Sequence, residues 1–167
     1  MTVTSVDKDL HGLSLTLVAE FDAPIDRVWQ LWADPRLLER WWGPPTYPAT
    51  FEQHDLSKGA HVRYYMTGPQ GDRSRGWWKV LNADPPRTIE FEDGFADDDG
   101  TPNPEMPVSR ARVELSELDW GTRMEIRSTF ASREDMEKLM AMGMEEGLRA
   151  AVGQADSVLV ERFGARV

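Results

Sequence analysis

In the segment LSLTLVAEF, Leu13 to Phe21, apolar and polar residues alternate. Leu13, Leu15, Leu17, Ala19 and Phe21 share one face, and Ser14, Thr16 and Glu20 share the other. Strand side chains point to opposite faces in turn, so this pattern predicts a half-buried β-strand. The period then changes. Asp22 and Pro24 open a stretch in which Ile25, Val28, Leu31 and Trp32 recur at helical spacing. Asp34 and Pro35 restart a second short helix as N-cap and first helical residue. Its apolar residues are Leu37, Leu38, Trp41 and Trp42, and Gly43-Pro44-Pro45 ends it.

Strand-like runs follow at 46–56, 60–67, 75–82, 88–93, 109–118 and 122–130, separated by turn chemistry such as SKG, GPQGD, ADPP and DWG. Short connections between consecutive strands argue for an antiparallel meander. For the first of these hairpins, keeping both faces consistent predicts Phe51 opposite Tyr64 and Ala49 opposite Met66. The same register places Glu52 opposite Arg63 and His54 opposite His61. The longest gap, GFADDDGTPNPEMP, is acidic and proline-rich and reads as a loop.

From Ser132, a plausible N-cap with Glu134 and Asp135 behind it, one apolar face runs through Met136, Met140, Met144, Gly147, Leu148, Ala151, Ala155, Val158 and Leu159. About 30 residues at 1.5 Å each predict a rod of roughly 45 Å. Gly143, Gly147 and Gly153 weaken it, with a kink or break expected near Gly143. The order is strand, two short helices, six strands, long helix. It predicts an α+β helix-grip fold: a seven-stranded antiparallel sheet around a long C-terminal helix, with two short helices between strands one and two.

Composition narrows the function classes. The 167 residues suit one domain, 1–167, with a core of its own. A formal net charge of −10 argues against nucleic acid, whose phosphates need a basic face. There is no cysteine, so no disulfide framework or thiolate chemistry is expected. The first residues lack a signal-peptide pattern, and no apolar run approaches the ~20 residues of a membrane span. A cytoplasmic protein without membrane insertion is the expectation.

Candidate chemistry is thin. The three histidines, His11, His54 and His61, suggest neither a catalytic triad nor a metal site, since zinc normally takes at least three protein ligands. Asp97 to Gly100 lacks the ligand spacing of a calcium loop and reads as solvated. Alternating charges at Arg110, Arg112, Glu114, Arg123, Glu125 and Arg127 read as cross-strand pairs on a wet face. No catalytic residue, metal ligand or cofactor is therefore assigned. Seven tryptophans and eight methionines are many for this length. Trp32, Trp41, Trp42, Tyr64, Met66, Trp78, Phe91, Met140, Met144 and Leu148 are the candidate lining of an apolar ligand site; taken singly each reads first as core, and it is the set that points to a ligand.

The segments FDAPIDRVWQLWADPRLLERWWGPP, DLSKGAHVRYYMTGPQG, GTRMEIRSTF and EEGLRAAVGQADSVL resemble bacterial relatives of the activator of heat-shock-protein-90 ATPase. These relatives belong to the START/birch-pollen-allergen-like (SRPBCC) superfamily, and the likeness runs from about Leu13 to Glu161. The resemblance implies the helix-grip fold and a cavity for a small hydrophobic molecule. It does not imply one activity. After the glycine at 147 the family commonly carries tryptophan, whereas this chain has Leu148, which would enlarge the interior space. The leading expectation is a binding protein for a small hydrophobic ligand. A polyketide cyclase or dehydratase using the same cavity is the alternative, with Tyr64, Tyr65, Glu90 or Arg63 as candidate acid or base. A co-chaperone-like interaction module is a third reading, and a homodimer stays open.

Overall fold

The computed structural model describes residues 3–164, so the expected domain 1–167 runs past both described ends. The strands are β1 (Val3–Asp9), β2 (Ser14–Phe21), β3 (Ala49–Gln53), β4 (His61–Thr67), β5 (Arg73–Asp84), β6 (Thr88–Ala96), β7 (Ser109–Leu118) and β8 (Gly121–Phe130). The helices are α1 (Ile25–Ala33), α2 (Pro35–Leu38), α3 (Arg133–Ala141), α4 (Met144–Val152) and α5 (Ala155–Phe163). All strands join one antiparallel sheet in the order β1-β2-β8-β7-β6-β5-β4-β3. This is the expected α+β helix-grip arrangement with one correction: the sheet has eight strands, not seven. The additional strand, β1, pairs with β2 along the edge. Only Val3 and Val6 of it pack on the core, and Asp7, Lys8 and Asp9 interrupt any alternation, so its pattern carries no strand signal.

The β2 alternation works as expected: Leu15, Leu17, Ala19 and Phe21 are fully buried on the concave face. Asp34 caps α2, its carboxylate accepting from the Arg36 N–H at 2.9 Å, with Pro35 in the first turn. Ser132 caps α3 in the same way, accepting from the Asp135 N–H at 3.1 Å. These side chains satisfy donors that a helix start leaves orphaned.

The expected long helix is three shorter ones. It breaks at Gly143, whose φ of +90° is a left-handed conformation that costs an L side chain but not glycine. A second interruption at Gly153 and Gln154 keeps right-handed helical dihedrals. There the Gln154 amide donates to the Gly43 carbonyl at 2.7 Å and ties the helix to the segment after Trp42.

The β3–β4 register is as expected for Ala49–Met66, Thr50–Tyr65 and Phe51–Tyr64. It then shifts, and Gln53 rather than Glu52 faces Arg63. An extra residue in one strand is a β-bulge, which turns the strand. His54 therefore does not meet His61. Its Nε2–H donates to the Trp32 carbonyl at 2.9 Å, and His54 is half-buried.

The outer face carries the charges. Arg112 pairs with Glu90 and with Glu114, and Arg123 with Glu125. The segment after β6 is a solvated turn in which Asp99 accepts from the Thr101 N–H at 3.0 Å.

Candidate ligand-binding site

The space between sheet and helices is filled at one end and hollow at the other. The filled end is an aromatic block. Trp32 and Trp41 meet edge to face at 4.8 Å, and Trp78 stacks on Phe91 at 4.1 Å. Trp41 donates its indole N–H to the Leu31 carbonyl at 2.9 Å, and Trp32 points its own at the Met124 sulfur at 3.4 Å. All four rings are fully buried. Aromatic pairs of this kind add about 0.5–1.5 kcal/mol each beyond the area they bury.

The hollow end is a cavity of about 570 Å³ under α3 and α4. This lies within the range of about 300–1,000 Å³ usual for small-molecule sites. Of the candidate lining residues, the cavity brings together Trp42, Tyr64, Met66, Met144 and Leu148. Trp32, Trp41, Trp78 and Phe91 do not line it, because they pack on one another and on α1 as solid core. Met140 does not line it either. The break at Gly143 sets α3 so that Leu139 faces the cavity, while Met140 packs near Leu15 and Phe130.

The adjacent tryptophans thus separate. Their backbone N–H groups bond to Leu38, in a helical turn that points successive side chains about 100° apart. Trp41 enters the solid core, and Trp42 forms a cavity wall, edge to face with Trp78 at 5.0 Å. Above them, Gly147 of α4 faces open space: a Cβ placed there would meet nothing within 4 Å. Exposed Asp72, Ser74 and Met142 mark the mouth.

One wall is polar. The pairing Trp78–Asp93–Ser109 runs across β5, β6 and β7, and Ser128 of β8 adds a second hydroxyl to the lining. The Tyr64 hydroxyl donates to Asp93 Oδ1 at 2.9 Å. Burial raises the Asp93 carboxyl to about 7, partly offset by that hydrogen bond. Burial, then the Asp93 charge and hydrogen bond, raise Tyr64 well above the ordinary phenol range. The indole N–H groups of Trp42 and Trp78 lie beside the Tyr64 oxygen and favour its ionised form, yet neither reaches hydrogen-bond geometry. Asp93 is half-buried, and an acid and unpaired indole donors held in an apolar interior carry a desolvation cost.

The chain matches, over residues 22–159, the family model described as activator of Hsp90 ATPase homolog 1-like protein. The chain belongs to this family. A solution structure of an Arthrobacter aurescens protein is 56% identical, with a TM-score of 0.92, covering 96% of this chain and 93% of that one. Protein Ms6760 from Mycobacterium smegmatis is 46% identical, with a TM-score of 0.87, covering 94% and 96%. DynU16, from the dynemicin biosynthetic locus, is 18% identical with a TM-score of 0.63 and shares the fold; the match covers 91% of this chain and 48% of DynU16. No curated protein matches the chain.

Among the described residues of this Hsp90-activator homologue, no three metal-ligating side chains converge, and no helix is long and apolar enough to cross a membrane. The lining residues that the sequence reading missed include the polar Asp93, Ser109 and Ser128 and the apolar Phe95, Ile126 and Leu139. Asp93 is legible in the sequence, because Ile89, Phe91, Asp93 and Phe95 continue one alternating face past Gly94, beyond the expected strand 88–93.

Proposed function

We propose that this protein binds a small, largely apolar molecule in the cavity between the sheet and α3–α4, with Tyr64 and Asp93 orienting it. The observation that carries the reading is the composition of the wall. Trp42, Met66, Phe95, Met144 and Leu148 supply apolar surface, and Tyr64, Asp93, Ser109 and Ser128 supply polar groups from the strands. That is the usual division of labour in a small-molecule site.

Gly147 gives the test. Gly147→Leu points a side chain into the void and also raises helix propensity, so the variant should fold at least as well as wild type. An apolar panel of fatty acids, sterols, flavonoids, aromatic amines and polyketide-like aromatics is screened by thermal shift and indole fluorescence. A binder should stabilise wild type by about 2.7 kcal/mol at a hundredfold excess over its Kd. It should lose that effect in Gly147→Leu. A binder that stabilises both proteins equally sits elsewhere, and the cavity reading fails.

A second reading draws on the same acid. A cyclase or dehydratase needs a buried group able to take and return a proton near neutral pH, and Asp93 has that property. Turnover of a bound panel member, lost in Asp93→Asn, would move the protein to that class.

A further inference from the structure

The charge of the occupant follows from which ionisable groups line the cavity. Among the described residues these are Tyr47, Tyr64, Asp72, Arg75 and Asp93. The helices contribute none, because α3, α4 and the break between them present only Leu139, Met142, Gly143, Met144, Gly147 and Leu148. Arg75 is committed to the outer side, its guanidinium 2.7 Å from Glu52 and 5.1 Å from the Tyr65 ring centroid. Tyr47 donates to Asp72 at the mouth at 3.0 Å. No cation therefore faces Asp93. One of its oxygens accepts from Tyr64; the other has no hydrogen-bond partner among the described residues and belongs to the cavity wall.

A carboxylate drawn partly out of water, as half-buried Asp93 is, is tolerated when a positive charge pairs with it. The surrounding rings, Trp42, Tyr64 and Phe95, present surfaces that attract cations when they meet them face on. The carboxylate at the mouth and the net charge of −10 draw cations toward the entrance and repel anions.

We infer that the ligand is an apolar amine, bound as its ammonium with the Asp93 carboxylate as counter-ion. The inference rests on the cavity being the binding site, and it excludes fatty acids and other carboxylates as occupants. It also fixes a pH dependence. Below neutral pH the empty site holds its proton on Asp93, and an ammonium must expel that proton to bind. Affinity for an amine should therefore fall as pH falls, by about tenfold between pH 8 and pH 6. A neutral ligand that accepts a hydrogen bond from the protonated acid would show the reverse. Of the groups placed beside Asp93, Tyr64 titrates far above this range, and Trp78 and Ser109 on the paired strands do not titrate.

The experiment uses three probes on one skeleton: naphthylethylamine, naphthylethanol and naphthylacetic acid. Each is titrated calorimetrically at pH 6 and pH 8, in buffers of different ionisation enthalpy, against wild type, Asp93→Asn and Gly147→Leu. The expected result at pH 8 is that the amine binds at least tenfold tighter than the alcohol and the acid does not bind. The amine should release a proton on binding at pH 6, and Asp93→Asn should keep the alcohol but lose the preference for the amine. If the alcohol equals the amine, or amine affinity rises on acidification, the charge assignment is overturned while the cavity reading stands. If the probes bind Gly147→Leu as well as wild type, the cavity reading itself is wrong and the inference falls with it.

Discussion

The Tyr64 ring crosses β5 directly over Gly76 to reach Asp93. A Cβ at position 76 would lie 2.5 Å from the Tyr64 hydroxyl. A tyrosine on β4 can thus hydrogen-bond to a carboxyl two strands away, because the strand between them has no side chain at the crossing point.

Gly76→Ala should therefore push Tyr64 off Asp93. Overpacking of this kind costs about 1–3 kcal/mol. Urea denaturation measures it. An unchanged midpoint would mean that the ring moves aside freely and that the Tyr64–Asp93 contact is not held in place.

Asp93 makes stability fall as pH rises. Its folded-state value of about 7 lies above the ordinary 3.8, so between these values the folded protein binds more protons than the unfolded chain. The contribution is complete below about pH 4 and is lost as pH climbs through 7. Asp93→Asn mimics the protonated acid. It should match wild type only below about pH 4 and exceed it by roughly 2–4 kcal/mol at pH 8. Denaturation midpoints at the two pH values decide this, and parallel curves would remove Asp93 as the source.

His54 acts in the opposite sense. Burial lowers it below 6.5, against a smaller upward effect of the Trp32 carbonyl. The unfolded chain takes up a proton first on acidification, so His54 costs stability as pH drops below 6.5. His54→Gln should flatten the acid limb of the stability profile between pH 6.5 and pH 5. A limb as steep as that of wild type would assign acid sensitivity to other groups.

Position along α4 decides how much an introduced charge costs. Ala151 is 1% exposed in solid core, whereas half-buried Leu148 borders the cavity. Ala151→Asp buries a carboxylate with no partner and should destabilise by more than about 3 kcal/mol or prevent folding. Leu148→Asp can turn its carboxylate into the void and should be the milder change. Melting temperatures in the reverse order would contradict the placement of the cavity.

Much of the fold was legible because it rests on local rules: the period-two face of β2, the caps at Asp34 and Ser132, and the break at Gly143. The site was less legible. Trp32 and Trp42 share one chemistry, but Trp32 fills core and Trp42 borders empty space, and no residue pattern separates the two. Within the strands, glycine carries more than punctuation. The run 88–93 stops short of Gly94, yet Gly94 lies inside β6, where the Trp77 indole leaves no room for a Cβ, which would be 2.6 Å from the ring. A strand glycine often marks such a close approach. Applied to Gly94, that rule extends β6 and turns Asp93 toward the face that already holds Tyr64.

The pairing of β2 with β8 also sets a timetable for synthesis. Ser14 to Phe21 hydrogen-bonds to Thr122 to Thr129, so β2 gains its inner neighbour only after most of the chain has left the ribosome. At roughly 5–20 residues per second, the leucines and phenylalanine of β2 wait on the order of ten seconds before the sheet can close around them. Until then only β1 can occupy one of its edges. The weakly patterned strand that the sequence concealed is the one available to shield β2 from other nascent chains.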